Sequence, residues 1–158
     1  RQKNRLGLRM CDAWTNIPQI TVASIEGACI GGGVSLALSC DFRFCAPKSY
    51  FSIPEVELGF TYAWGTIPKL VSILGPVKTK LLTFTCEKIY SNSLLEWGLC
   101  EEVTDKPLDT SVDFLKKIIL KPTVAIQMVK ESINRQNNIN QISILEQDQV
   151  LLTRKFNH

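Results

Sequence analysis

Two stretches of this chain hold the residues with the most chemistry to offer. In "FSIPEVELGF", residues 51–60, Glu55 follows Pro54 among apolar neighbours. Burial there would favour the neutral acid and suit it to proton transfer near neutral pH. The same segment also reads as a solvated turn that exposes both Glu55 and Glu57. In "IEGACIGGGVSLALSC", residues 25–40, the triplet Gly31, Gly32 and Gly33 stands before a short apolar helix that carries Ser35. The contiguous glycines lack the G-x-G-x-x-G spacing of a dinucleotide fingerprint, and no G-K-S/T follows as in a P-loop. They fit a tight strand-to-helix turn. They equally fit backbone N–H groups held free for a ligand oxygen, where they would stabilise a developing oxyanion.

Ser35 invites a third chemistry, because "GVSLA" is close to a nucleophile motif with alanine in place of the last glycine. A nucleophilic serine needs a base. The single histidine is His158, and Lys48, the nearest lysine in sequence, has no special placement. Ser35 is therefore expected to be a small packing residue.

The elements that must position these groups alternate between strand and helix. Leu6, Met10, Ala13 and Trp14 recur at helical spacing, which predicts an amphipathic helix closed by Asn16, Ile17 and Pro18. "QITVASI", residues 19–25, is short and β-branched, as a buried strand would be. Residues 27–33 are expected to lead as a loop into a helix over 34–39. Strands are predicted at 41–46 and 49–53 around a Pro-Lys turn, then a helix over 65–74 ended by Gly75-Pro76. Helices over 77–86, 91–97, 109–120 and 122–134 follow, with a short strand at 101–104 and a last periodic segment at 142–156.

Composition bounds the function. With 158 residues, 45% of them hydrophobic and 21% charged, the chain can bury one ordinary core. The net charge of +3 comes from scattered basic residues, so neither nucleic acid nor a membrane surface is indicated. The least polar stretch, residues 20–40, approaches spanning length, but Glu26 and the glycines argue against insertion in lipid. The opening "RQKNRLGLRM" lacks the apolar run of a signal peptide. Six cysteines at irregular spacing, without C-x-x-C, point to free thiols in a reducing, cytoplasmic setting rather than to a metal cluster or a disulfide framework.

Taken together, "IEGACIGGGVSLALSCDFRFCAPKSYFSIPEVELGF", its continuation "TYAWGTIPKL" and the later "LLEWGLCEEV" resemble the enoyl-CoA hydratase/isomerase, or crotonase, superfamily. The resemblance implies an α/β fold, a right-handed spiral of strand-strand-helix units over residues 1–106, with a helical C-terminal region over 107–158. It implies an acyl-CoA thioester as substrate, so that coenzyme A enters with the substrate and no separate cofactor or metal is required. It also implies a homo-oligomer, a trimer or hexamer. The apolar stripes Val112, Leu115, Ile118, Ile119 and Ala125, Met128, Val129, Ile133 are expected to meet another subunit.

On the matched positions, Gly32 would supply one of two oxyanion N–H donors and Glu55 the catalytic carboxylate. Ala28, Ile30, Gly31, Gly33, Pro54, Tyr62 and Trp64 would border the substrate. The family's other donor lies in an alanine-rich loop well before the triplet, and residues 1–17 do not match it, so the expectation is an internal piece of a longer protein. Hydratases of the family carry a second glutamate where this chain has Ser35, which cannot replace a carboxylate as base. A single carboxylate still suffices for double-bond isomerisation. Isomerase activity is therefore expected first, with hydration despite Ser35 or non-catalytic acyl-CoA binding as alternatives.

Overall fold

A computed structural model describes residues 2–139; the predicted segment at 142–156 and His158 lie outside the described residues. The chain opens with helix α1 (Gln2–Asn16) and then lays down strands in pairs that diverge into two sheets. Strand β1 (Val22–Ile25) turns at Glu26-Gly27 into β2 (Ala28–Ile30), and the short helix α2 (Gly32–Ala37) follows. The second turn repeats this order with β3 (Phe42–Cys45), β4 (Tyr50–Ser52) and α3 (Thr66–Thr85). The third is abbreviated to β5 (Ile89–Tyr90), α4 (Ser91–Glu96) and β6 (Glu102–Val103), before α5 (Pro107–Ile119) and α6 (Thr123–Ile139).

One sheet has the order β1-β3-β6, all parallel, and the other β2-β4-β5, with β2 parallel and β5 antiparallel to β4. Each turn thus adds one strand to each sheet, as the strand-strand-helix reading implies. The corners are pinned by a buried serine. Ser49 Oγ donates to Ile25 O at 2.8 Å and accepts from the Gly27 N–H at 3.1 Å, tying the first turn to the second.

Two local expectations need correction. Residues 28–30 are strand β2 rather than loop, because Ala28 and Ile30 pair in parallel with Tyr50 and Ser52; a three-residue strand is too short for its period to be read, and its partner lies far along the chain. Strand β5 escaped notice for the same reason. Gly75-Pro76 separates two helical stretches of α3, as the sequence predicts: Gly75, at φ 71° and ψ 172°, is not helical, and helix lies on both sides of it. Pro76 lacks an N–H to donate, so it can open the second helical stretch at no loss.

The core lies between the sheets and their helices. Val34, Ala37 and Leu38 from α2 and its end meet Phe51, Ile53, Leu70, Leu82, Leu94 and Leu99 there. Full burial of a side chain such as Phe51 stabilises the fold by about 2–3 kcal/mol. Polar side chains lock the strand ends. Buried Arg43 donates from Nε to Leu99 O, from Nη1 to Cys40 O and from Nη2 to Glu101 at 2.9 Å, and its own N–H donates to Glu101 as well. Helix α6 is fastened by Lys130, whose Nζ donates to Asp41 Oδ2 and to Gln19 O, each at 2.7 Å. All six cysteines are free; Cys11, Cys29, Cys45 and Cys100 are buried. Among the described residues no helix is long and apolar enough to cross a membrane.

Candidate active site

The end of β2 and the loop after β4 meet at the glycine triplet. Gly31 caps α2 at φ 54°, a conformation that side chains rarely adopt, and its N–H donates to Ser52 O at 2.9 Å. That bond ties the triplet to the strand leading into Glu55. The Gly32 N–H, one residue on, has no acceptor among the described residues. Gly32 is half-buried and Gly33 exposed, so the free donor sits at the surface end of α2.

Glu55 approaches from the other side. Its loop is wound tightly: the Leu58 N–H donates to Pro54 O at 3.1 Å and the Phe60 N–H to Glu55 O at 2.7 Å. Both open readings of this segment find a place. Glu57 is exposed on the turn, whereas the Glu55 side chain is directed inward, with Oε1 only 3.0 Å from where a Cβ on Gly31 would lie. Its Oε2 is buried without a hydrogen-bond partner. Burial raises the Glu55 carboxyl above its ordinary range. A carboxylate held partly dry beside a free backbone N–H is suited to take a proton from a neighbouring carbon while the resulting negative charge is held close by.

The remaining sequence candidates divide into wall, strap and filler. Trp64 packs against the middle glycine of the triplet: a Cβ on Gly32 would lie 2.5 Å from its Cζ3. Tyr62 belongs to the core, with its hydroxyl donating to Ile53 O at 3.2 Å, so that it straps the loop just before Pro54. Burial, and then the Glu55 charge, push the Tyr62 hydroxyl up, which keeps it a neutral donor. Ala28 and Ile30 are exposed at alternate positions of β2, Pro54 is half-buried, and Gly33 backs onto the Cys29 thiol, which burial raises to about 11.

Ser35 is buried and spent. Its Oγ lies 2.6 Å from Thr66 Oγ1 and 3.4 Å from Gly31 O, so α2 is tied to the start of α3 and no nucleophile is presented. Where the resemblance implies a second carboxylate, this chain thus has a buried packing contact. Sequence reasoning did not single out Thr66 or Gly7. Gly7 sits in mid-helix and would place a Cβ 2.0 Å from Trp64 Cε2. Its one signal was a glycine inside an amphipathic helix, where alanine would be more stable by about 1 kcal/mol.

A cavity of about 640 Å³ lies elsewhere, under α5 and α6, lined by Leu38, Ile73, Ile126 and Val129 with Lys69 and Lys130 at its polar side. It includes neither Gly32 nor Glu55. The free donor and the orphaned carboxylate oxygen therefore lie away from this cavity. No group of three or more metal-ligating side chains occurs among the described residues.

Comparison with known proteins agrees with this geometry. The model of the family "Enoyl-CoA hydratase/isomerase" matches residues 3–158. The short-chain-enoyl-CoA hydratase of Clostridium acetobutylicum is 33% identical over 116 residues, 72% of this chain and 44% of that protein. The human mitochondrial Delta(3,5)-Delta(2,4)-dienoyl-CoA isomerase is 35% identical over 117 residues, 72% of this chain and 36% of that protein. The chain thus spans less than half the length of these relatives. The crystal structure of an enoyl-CoA hydratase/isomerase from Mycobacterium paratuberculosis superposes with a TM-score of 0.90 at 21% identity, covering 96% of this chain and 62% of that one. This likeness shows the spiral fold.

Proposed function

Because this chain belongs to the enoyl-CoA hydratase/isomerase family, we propose that it carries part of an acyl-CoA site in which Glu55 shuttles a proton and Gly32 binds the thioester oxygen. The observation that carries this reading is the buried, unpartnered Oε2 of Glu55 beside the glycine turn. The Glu55 carboxylate removes a proton from the carbon α to the thioester. The electron pair moves onto the thioester oxygen, which accepts a hydrogen bond from the Gly32 N–H. One such donor contributes on the order of 3 kcal/mol to lowering the barrier. Return of the same proton at the γ carbon re-forms the carbonyl and shifts the double bond.

Isomerisation is favoured over hydration because Ser35 is committed to Thr66 and leaves no second carboxylate to activate water. The similarity to a named hydratase and a named isomerase supports the family's chemistry without dividing the two. Exchange of α-protons with solvent deuterium tests the reading, since it needs only the base and the oxyanion donor. Exchange that Glu55→Gln abolishes while acyl-CoA binding survives supports isomerase chemistry. Net water addition to a crotonyl thioester would establish the hydratase instead. Binding without exchange would mark a non-catalytic acyl-CoA protein.

The same family membership supports self-association through the helical region. Ile119, Met128, Val129 and Ile133 are more than half exposed, so these stripes are not consumed as core among the described residues. Sedimentation at micromolar concentration tests this, and a monomer would overturn it.

A further inference from the structure

Trp64 is held in a way that neither core packing nor the proton chemistry requires. One edge of its indole lies against Gly32, where a Cβ would meet Cζ3 at 2.5 Å and Cη2 at 2.9 Å. The ring fusion lies against Gly7 of α1, where a Cβ would meet Cε2 at 2.0 Å and Nε1 at 2.1 Å. Two glycines on two helices thus leave the slot that the ring fills. The loop that carries the ring is itself fixed, because Tyr62 is strapped to Ile53 O and Thr66 is bonded to Ser35. The indole is therefore held on two sides, yet it is only half-buried, so part of it remains open to solvent.

From this arrangement we infer that Trp64 is a specificity residue, a rigid wall that admits acyl thioesters unbranched at the α carbon and rejects those carrying an α-methyl group. The inference rests on the reading of Gly32 as the donor to the thioester oxygen. In that pose the acyl α carbon is two bonds, of about 1.2 and 1.5 Å, from an oxygen about 2.9 Å from the Gly32 nitrogen. The α carbon then lies within about 5.5 Å of that nitrogen, and the indole edge touches the same residue. A substituent on the α carbon is thus brought within reach of the ring. A planar enolate with hydrogen as its only α substituent slides past an aromatic edge; a methyl group does not. One methyl group against a packed wall is worth about tenfold or more in discrimination.

The test measures dissociation constants of the full chain for the coenzyme A thioesters of crotonic acid and 2-methylcrotonic acid by calorimetry. Wild type is expected to favour the unbranched thioester at least tenfold, and Trp64→Ala to bring the two within about threefold, mainly by tightening the branched one. Trp64→Phe, which keeps a ring in the slot, should fall between them and serves if the alanine variant does not fold. Equal binding by wild type, or an equal change for both thioesters in the Trp64 variants, would overturn the wall while leaving the proposed chemistry standing. Failure of wild type to bind either thioester would overturn the site assignment and the wall together.

Discussion

Asp41 and Glu55 are carboxylates at two strand-loop junctions of one spiral, and the fold treats them in opposite ways. Asp41 Oδ2 accepts from the Thr21 N–H, the Thr21 hydroxyl and Lys130 Nζ, so three donors converge on one oxygen and the carboxylate fastens α6 to the first turn. Glu55 is wound into a tight turn, set against Gly31, and left with a buried oxygen that no group satisfies. Saturated hydrogen bonding makes a carboxylate structural, because any change of its protonation breaks several contacts at once. An unsatisfied one can change protonation with little rearrangement, and that freedom is what proton transfer needs.

The contrast can be broken most sharply at Glu55 itself. Glu55→Gln is expected to slow α-proton exchange about 1,000-fold with the fold unchanged, measured by mass or NMR detection of deuterium in the recovered thioester. Exchange at the wild-type rate would show that Glu55 is as inert as Asp41.

At the other pole, Lys130→Met removes the cation facing Asp41, in a pair whose side chains are 6% and 18% exposed. It should lose about 3 kcal/mol of stability in urea unfolding while exchange per folded molecule stays at the wild-type rate. A loss below about 0.5 kcal/mol would place this contact among surface ion pairs and remove its structural role.

A smaller effect is expected between these poles. Gly32→Ala drives a Cβ to within 2.5 Å of Trp64 Cζ3 and should cost about 1–3 kcal/mol, with part recovered when Trp64→Phe is added. Additive losses in the double variant would show that the ring is not the cause.

The smallest effect concerns pH. Burial raises the Glu55 carboxyl, so the folded state holds its proton to higher pH than the unfolded chain does. The stability linked to that proton is fully present below the unfolded carboxylate range and is lost as pH rises through the raised folded value. Glu55→Gln should therefore melt higher than wild type near neutral pH, with the gap closing towards about pH 4. A gap that widens on acidification would mean that Glu55 is stabilised as the anion.

The sequence by itself determined the family and most of the element order, and it singled out Gly32 and Glu55 as candidates. Order-dependent motifs such as the glycine triplet and the Pro54-Glu55 segment, together with helix periodicity and Gly/Pro punctuation, are local properties that survive without a partner. Only the tertiary structure decided what depends on distant contacts. Strands β2 and β5 exist because β4 lies between them. Ser35 is a filler because Thr66, far along the chain, takes its hydroxyl. Gly7 matters because the Trp64 ring rests on it, and Glu55 differs from Glu57 because the turn at 54–60 directs one side chain inward and leaves the other exposed. Burial and hydrogen-bond satisfaction are sums over neighbours brought together by folding, and no window along the chain contains them.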